Sequence, residues 1–132
     1  MRFIKMQGAG NDYIYVDCFR ESVPDDPAEV ARAISDRHFG VGGDGLVLIH
    51  PTEQADARMQ MFNVDGSEAE MCGNAIRCVA KYLYEEDLVA KQQMTIETAC
   101  GDLQLELQTE QEQVRSVRVD MGRPVLEAEK IP

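Results

Sequence analysis

Gly73-Asn74-Ala75-Ile76-Arg77-Cys78-Val79-Ala80-Lys81-Tyr82-Leu83-Tyr84-Glu85-Glu86 is the stretch whose reading decides the fold. Its apolar residues recur at helical spacing. At about 100° per residue, Ala75, Ile76, Val79, Ala80 and Leu83 share one face, and Cys78 and Tyr82 widen it. Arg77, Lys81 and Glu85 are confined to a narrow polar stripe. A helix that is apolar over more than half its circumference must be surrounded, as if a curved sheet wrapped it. Cys78 faces that packing and reads as a core thiol rather than a reactive one.

Upstream, Asn63-Val64-Asp65-Gly66-Ser67-Glu68-Ala69-Glu70-Met71-Cys72 carries the chain from the end of a strand through a polar turn to the helix. Asp-Gly followed by Ser is turn chemistry, and Cys72-Gly73-Asn74 opens the periodic run. Cys72 is therefore expected at or beside a helix N-terminus. Unpaired amides and the helix dipole favour negative charge there, so a thiol loses its proton more readily and becomes a competent base. The amides of Gly73 and Asn74 could hold a carboxylate at the same place. A calcium loop does not fit, because with Gly66 at the sixth position the first and twelfth ligands would be Met61 and Cys72.

The remaining elements follow from local pattern. Arg2 to Met6 and Tyr13 to Asp17 read as a strand pair joined by the Gly8-Ala9-Gly10-Asn11 turn. Asp26-Pro27-Ala28-Glu29 supplies an N-cap, a proline at the first helical position and a glutamate at the third. Val30, Ala31, Ile34 and His38 then continue a short packing helix toward Gly40. Gly40-Val41-Gly42-Gly43-Asp44-Gly45 satisfies Gly-x-Gly-x-x-Gly formally, but a helix precedes it and a strand, Leu46 to Ile49, follows. That order is the reverse of a dinucleotide site. Further strands are expected at Asp56 to Asn63, Met94 to Thr98, Asp102 to Gln108 and Val114 to Met121, making an α+β fold. Residues 1–121 form the globular unit, and 122–132, polar with two prolines, reads as a linker.

Composition narrows the function. The 132 residues are 44% hydrophobic and 28% charged, ordinary for a globular protein, with a net charge of −11. That balance argues against binding a nucleic-acid backbone. No apolar run approaches the roughly 20 residues of a membrane helix and no signal-peptide core is present, so a cytoplasmic protein is expected. Four cysteines, Cys18, Cys72, Cys78 and Cys100, stand without zinc spacing. Cys72 and Cys78 would be separated by about 9 Å of helix, beyond disulfide reach, and reduced thiols fit best.

These motifs together resemble the diaminopimelate epimerase family. The resemblance rests on Asn63-x-Asp65-Gly66-Ser67 with Cys72-Gly73-Asn74-Ala75-x-Arg77, and on Phe3-x-Lys5-Met6-x-Gly8-x-Gly10-Asn11-Asp12. Arg37-His38-x-Gly40-x-Gly42-x-Asp44 and Met121-Gly122-x-Pro124 extend it along essentially the whole chain. It implies one of two pseudo-symmetric α+β lobes, each a mostly antiparallel curved sheet around a central helix, with the active site in the cleft between them. The second lobe, with a second catalytic cysteine, is absent here and would be the main partner; a homodimer stays open. The implied reaction is inversion at the α-carbon of a small amino-acid substrate, LL- to meso-diaminopimelate, in lysine and peptidoglycan precursor synthesis, with no cofactor and no metal. By motif, Cys72 would be one of the two proton-transferring thiols. Gly73 and Asn74 would bind the substrate carboxylate, and Asn11 and Asn63 would contact substrate. Arg77, on the polar stripe, suits a structural role. Some relatives carry a polar, substrate-contacting residue where this chain has Gly45, so that contact is in doubt. Two other readings remain: a non-catalytic binding or assembly module of the same fold, and a racemase or isomerase lobe with another substrate.

Overall fold

The computed structural model describes residues 3–8, 11–38, 40, 42–69 and 73–120. Cys72 and the expected linker 122–132 lie outside the described residues, as does the Met121-Gly122-x-Pro124 motif.

Among the described residues, eight strands and two helices follow in the order β1 (Ile4–Gly8), β2 (Asn11–Asp17), α1 (Pro27–Ser35), β3 (Gly45–His50), β4 (Ala57–Asn63), β5 (Glu68–Ala69), α2 (Gly73–Glu85), β6 (Gln93–Thr98), β7 (Gly101–Glu110) and β8 (Gln113–Asp120). One sheet runs β1-β2-β3-β4-β6-β7-β8, with β5 added beside the end of β4. Most pairings are antiparallel. The exceptions are β2 with β3 and β4 with β6, which are parallel. The α+β fold with a mostly antiparallel curved sheet around a central helix is thus as expected from sequence.

Both faces of the sheet centre are covered, and β3 shows why its sequence is an unbroken apolar run. Leu46 and Leu48 join Ile14, Val16 and Phe62 against Ala31, Val30 and Ile34 of α1. The alternate residues Val47 and Ile49 turn to the other side, with Tyr15, Met59 and Met61, and meet α2. In β6 and β7, where only one face is covered, burial alternates: Met94, Ile96, Leu103, Leu105 and Leu107 point inward between exposed or half-exposed neighbours.

Helix α2 is enclosed on its apolar side as its periodicity requires. Ile76, Val79, Ala80 and Leu83 are fully buried and Ala75 nearly so, while Arg77, Lys81 and Glu85 are exposed. Full burial of a Val, Leu or Ile side chain is worth about 1.5–3 kcal/mol, so this face is a principal contributor to the lobe. The polar stripe looks out through the gap between the two sheet edges, β1 and β8, and bonds to both. The Arg77 guanidinium donates from Nε to the Val117 carbonyl at 3.3 Å, the Glu85 carboxylate accepts from the Val114 amide at 3.0 Å, and Cys78 Sγ lies 3.7 Å from the Gln7 carbonyl. Arg77 therefore has the structural role expected of it. Cys78 is half-buried at the rim of the core instead of inside it, because it marks the border between the apolar face and the stripe.

Two local differences have plain causes. Helix α1 starts as expected, with the Asp26 side chain accepting from the Glu29 amide and Pro27 as its first residue. It stops at Ser35, short of the Gly40 expected from periodicity. Asp36 is extended, and its carboxylate takes the His38 amide at 2.7 Å, a local bond that competes with the helix. The glycine loop then folds back, Gly42 donating to the Ile34 carbonyl at 2.9 Å and Gly43 to that of Ser35 at 3.2 Å. The second difference is β5, two residues long and without a periodic signature. It exists because the Asn63–Ser67 turn returns the chain along β4, pairing Glu68 with Phe62 and Ala69 with Met61.

Candidate active site

The sheet brings the ends of three neighbouring strands together. Asn11 is the first residue of β2, Gly45 the first of β3 and Asn63 the last of β4, with Gly45 directly opposite Asn63 in the register. Gly73 and Asn74 are the first two residues of α2, which begins after three residues that follow β5. Of the candidate residues read from sequence, the structure describes the backbone positions of four, Asn11, Asn63, Gly73 and Asn74; Cys72 immediately precedes α2 in sequence and lies outside the described residues.

Asn63 is exposed and is held by its own turn. Its amide donates to the Ser67 carbonyl at 2.8 Å and its side-chain Nδ2 to Ser67 Oγ at 3.0 Å, while the Gly66 amide returns to the Asn63 carbonyl at 2.9 Å. The Ser67 hydroxyl and amide both reach Asp65 Oδ1, at 2.6 and 2.9 Å, and together hold that carboxyl below its ordinary range. The turn also leans on α1. Gly66 is at φ +90, and a Cβ there would meet Arg32 and lie 2.9 Å from the Ala28 carbonyl. Arg32 Nη1 donates to the Asp65 carbonyl at 3.3 Å. Only glycine satisfies both the backbone and the close approach.

Among the described residues, its chain neighbours and its own helix backbone apart, no atom lies within 4 Å of a Cβ added at Gly73, and the first turn of α2 itself carries no acidic side chain. The Asn74 side-chain oxygen is 3.5 Å from Arg77 Nη1. From Asn74 a groove of about 290 Å³ runs along the stripe past Arg77, Cys78 and Lys81, with Val114 to Val117 of β8 as its far wall.

A charged cluster beside Asn11 escaped the sequence reading, although its members stand inside the quoted motifs. Asp12 and Asp44 exchange bonds: the Asp12 amide donates to Asp44 Oδ2 at 2.9 Å, and the Asp44 amide to the Asp12 carbonyl at 2.6 Å. Arg37 Nη2 reaches Asp12 Oδ1 at 3.1 Å and Asp44 Oδ1 at 3.4 Å, and Lys5 Nζ lies 3.3 Å from Asp12 Oδ2. The Arg37 guanidinium, helped by Lys5 against the opposing effect of burial, pulls the Asp12 carboxyl down to about 2. The folded-state value is depressed, so this contribution to stability is complete above the ordinary aspartate range and is lost as pH falls toward about 2. A carboxyl-detected NMR titration is expected to place the Asp12 midpoint near 2, and Arg37→Gln to raise it. A midpoint near 3.8 would show that the bridge does not form in solution.

The other thiols stand at different places: Cys18 is buried, Cys100 is exposed at the β6–β7 turn and Cys78 is half-buried on α2. Among the described residues no cluster of His, Cys, Asp and Glu could hold a metal ion, and no helix is long and apolar enough to cross a membrane.

Comparison with known proteins adds the following. A family model described as diaminopimelate epimerase matches residues 3–127. Curated relatives with the name diaminopimelate epimerase include one from Acetivibrio thermocellus, 58% identical over the whole chain, and one from Methanococcus maripaludis strain C6, 56% identical over the whole chain. The chain spans about half the length of the curated relatives it matches, 47% in both of these. Among solved structures, a hydroxyproline epimerase from Agrobacterium vitis with bound trans-4-hydroxy-L-proline superposes with a TM-score of 0.70 at 19% identity, over 90% of this chain and 40% of that one. A PhzF-family phenazine biosynthesis protein from Bacillus anthracis gives 0.62 at 22% identity, over 86% and 38%. At these identities the two structures speak to the fold alone.

Proposed function

The chain belongs to the diaminopimelate epimerase family, and from that premise we propose that it is the lobe supplying one of two proton-transferring thiols for LL- to meso-diaminopimelate epimerisation, in the cytoplasm and without cofactor. The observation that carries the reading is the start of α2, directly after Cys72 in sequence: no acid in its first turn, and no atom of the described residues beyond its chain neighbours and its own helix backbone within 4 Å of where a side chain at Gly73 would stand.

In this reading the substrate α-carboxylate lies against the amides of Gly73 and Asn74, which a helix leaves without intrahelical partners. One thiolate removes the α-proton, and the electron pair of the C–H bond passes onto the α-carbon and its carboxylate. The amides are aimed at the charge that develops there. A thiol on the opposite face then delivers its own proton to the α-carbon and is left as thiolate. The two sulfurs end with their protonation exchanged, and no redox partner is required. Cys72 is one of this pair; the same helix end that takes the carboxylate favours its thiolate. Asn11 and Asn63 contact the rest of the substrate from the sheet end. The other thiol comes from the part of the relatives' length that this chain does not span.

The reading is tested by following α-deuterium and configuration together in heavy water. The 132-residue chain is expected to give no inversion, since one thiol serves one face of the α-carbon. Any slow deuterium incorporation by the chain should vanish in Cys72→Ser. Robust inversion by the pure chain, or exchange that survives Cys72→Ser, would overturn the assignment.

A further inference from the structure

The parallel ladder between β2 and β3 begins only at Ile14 opposite Leu46. Yet the residues assigned to substrate stand before it: Asn11 at the start of β2, and Asn63 opposite Gly45 at the start of β3. What joins the two strands beyond the ladder is the reciprocal pair of bonds between Asp12 and Asp44, with Arg37 spanning their carboxylates.

We propose that Arg37 and Asp44 are positioning residues, which fix Asn11 relative to Asn63 by clamping the starts of β2 and β3 to each other where the ladder between them has not yet begun. This rests on the reading of Asn11 and Asn63 as substrate contacts. The connection is continuous: Asn11 is bonded to Asp12, Asp12 is clamped to Asp44, Asp44 leads into Gly45, and Gly45 pairs with Asn63. Neighbouring strands are about 4.8 Å apart, so the clamp sets a separation of about 10 Å between the strands carrying the two asparagines.

The chemistry of the clamp calls for a cation. Asp44 Oδ2 accepts the Asp12 amide, which brings the two carboxylates to one junction. Without a positive charge between them they repel and the junction opens. An exposed ion pair by itself is worth little; here the guanidinium makes an otherwise repulsive bond pattern tolerable by bridging both carboxylates, while Lys5 is placed against that of Asp12. The arrangement therefore predicts an effect on ligand affinity larger than on global stability, because the ladder, both core clusters and α1 lie outside the junction.

The test uses the ¹⁵N-labelled 132-residue chain titrated with LL-diaminopimelate, read at the backbone amides of Asn11, Asn63 and Gly73, with thermal melts alongside. The unaltered chain is expected to bind in the millimolar range, as a half-site offering few contacts would. Arg37→Gln is expected to weaken binding about tenfold while leaving the melt nearly unchanged, and Arg37→Lys, which restores the charge, to recover most of it. Asp44→Ala should lose at least as much; if it does not fold, the two Arg37 variants decide. Equal affinity in all variants would overturn the clamp's role and leave the substrate reading standing. So would Arg37→Lys as weak as Arg37→Gln, or a loss of affinity tracking a lowered melt. No saturable shift at any of the three amides in the unaltered chain would overturn the substrate reading, and the positioning role with it.

Discussion

Val79→Asp is expected to abolish the folded lobe. Val79 is fully buried on the α2 face, in one apolar cluster with Tyr15, Met61 and the leucines of β7. An unpaired carboxylate there costs several kcal/mol, or is protonated at a comparable cost, and the packing of the isoleucine, leucine and methionine side chains around it is lost as well. A domain of this size has about 5–15 kcal/mol in total. Circular dichroism and the dispersion of the amide spectrum should both report an unfolded or molten chain at 25 °C. A cooperative melt like that of the unaltered protein would contradict the enclosure of α2.

The second large effect is expected at Gly45, the position where the family resemblance left one substrate contact in doubt. Gly45→Gln should not restore that contact here. A Cβ at position 45 would overlap the Phe62 carbonyl oxygen and come within 3.1 Å of the Tyr13 ring. The oxygen is backbone, in the strand paired to β3, and cannot step aside as the end of a flexible side chain could. Overpacking of this kind costs about 1–3 kcal/mol or more. The strain falls on the pair Gly45–Asn63, so it displaces a proposed substrate contact as well as the strand. A melt lowered by on the order of 10 °C is expected, with amide shifts centred on Asn63, Phe62 and Tyr13. A variant as stable as the original would mean that β3 and β4 separate more easily at this end than the register indicates.

How much of this was legible in advance depended on the range of the interaction. The α2 face, the Asp26-Pro27 helix start and the alternation of Ala57, Met59 and Met61 are local patterns, and the structure follows each of them. The parallel pairings of β2 with β3 and β4 with β6 join segments separated by other elements, and no periodicity encodes them. Asp36 ended α1 through a side-chain bond that spacing alone does not reveal. At the site, Asn63, Gly73 and Asn74 could be picked out by motif, whereas the bonds of Asp12 and Asp44 connect residues 32 apart in sequence and became visible only with the strands in place. Glycines carried the least readable information: position 66 needs its glycine for backbone and proximity, and position 45 for proximity alone.

The bonds from the α2 stripe to the two sheet edges carry a consequence for how copies of this lobe behave at high concentration. An outermost strand with free amides and carbonyls is a template on which another chain can lay a strand of its own and begin a fibril. Here Arg77 occupies the Val117 carbonyl, Glu85 takes the Val114 amide and Cys78 stands against the Gln7 carbonyl. Each end of the sheet thus has hydrogen-bonding positions already occupied from within the molecule. The side of α2 that faces the gap also acts as a gatekeeper against self-association, with the charged Arg77 and Glu85 on β8 and the Cys78 thiol on β1.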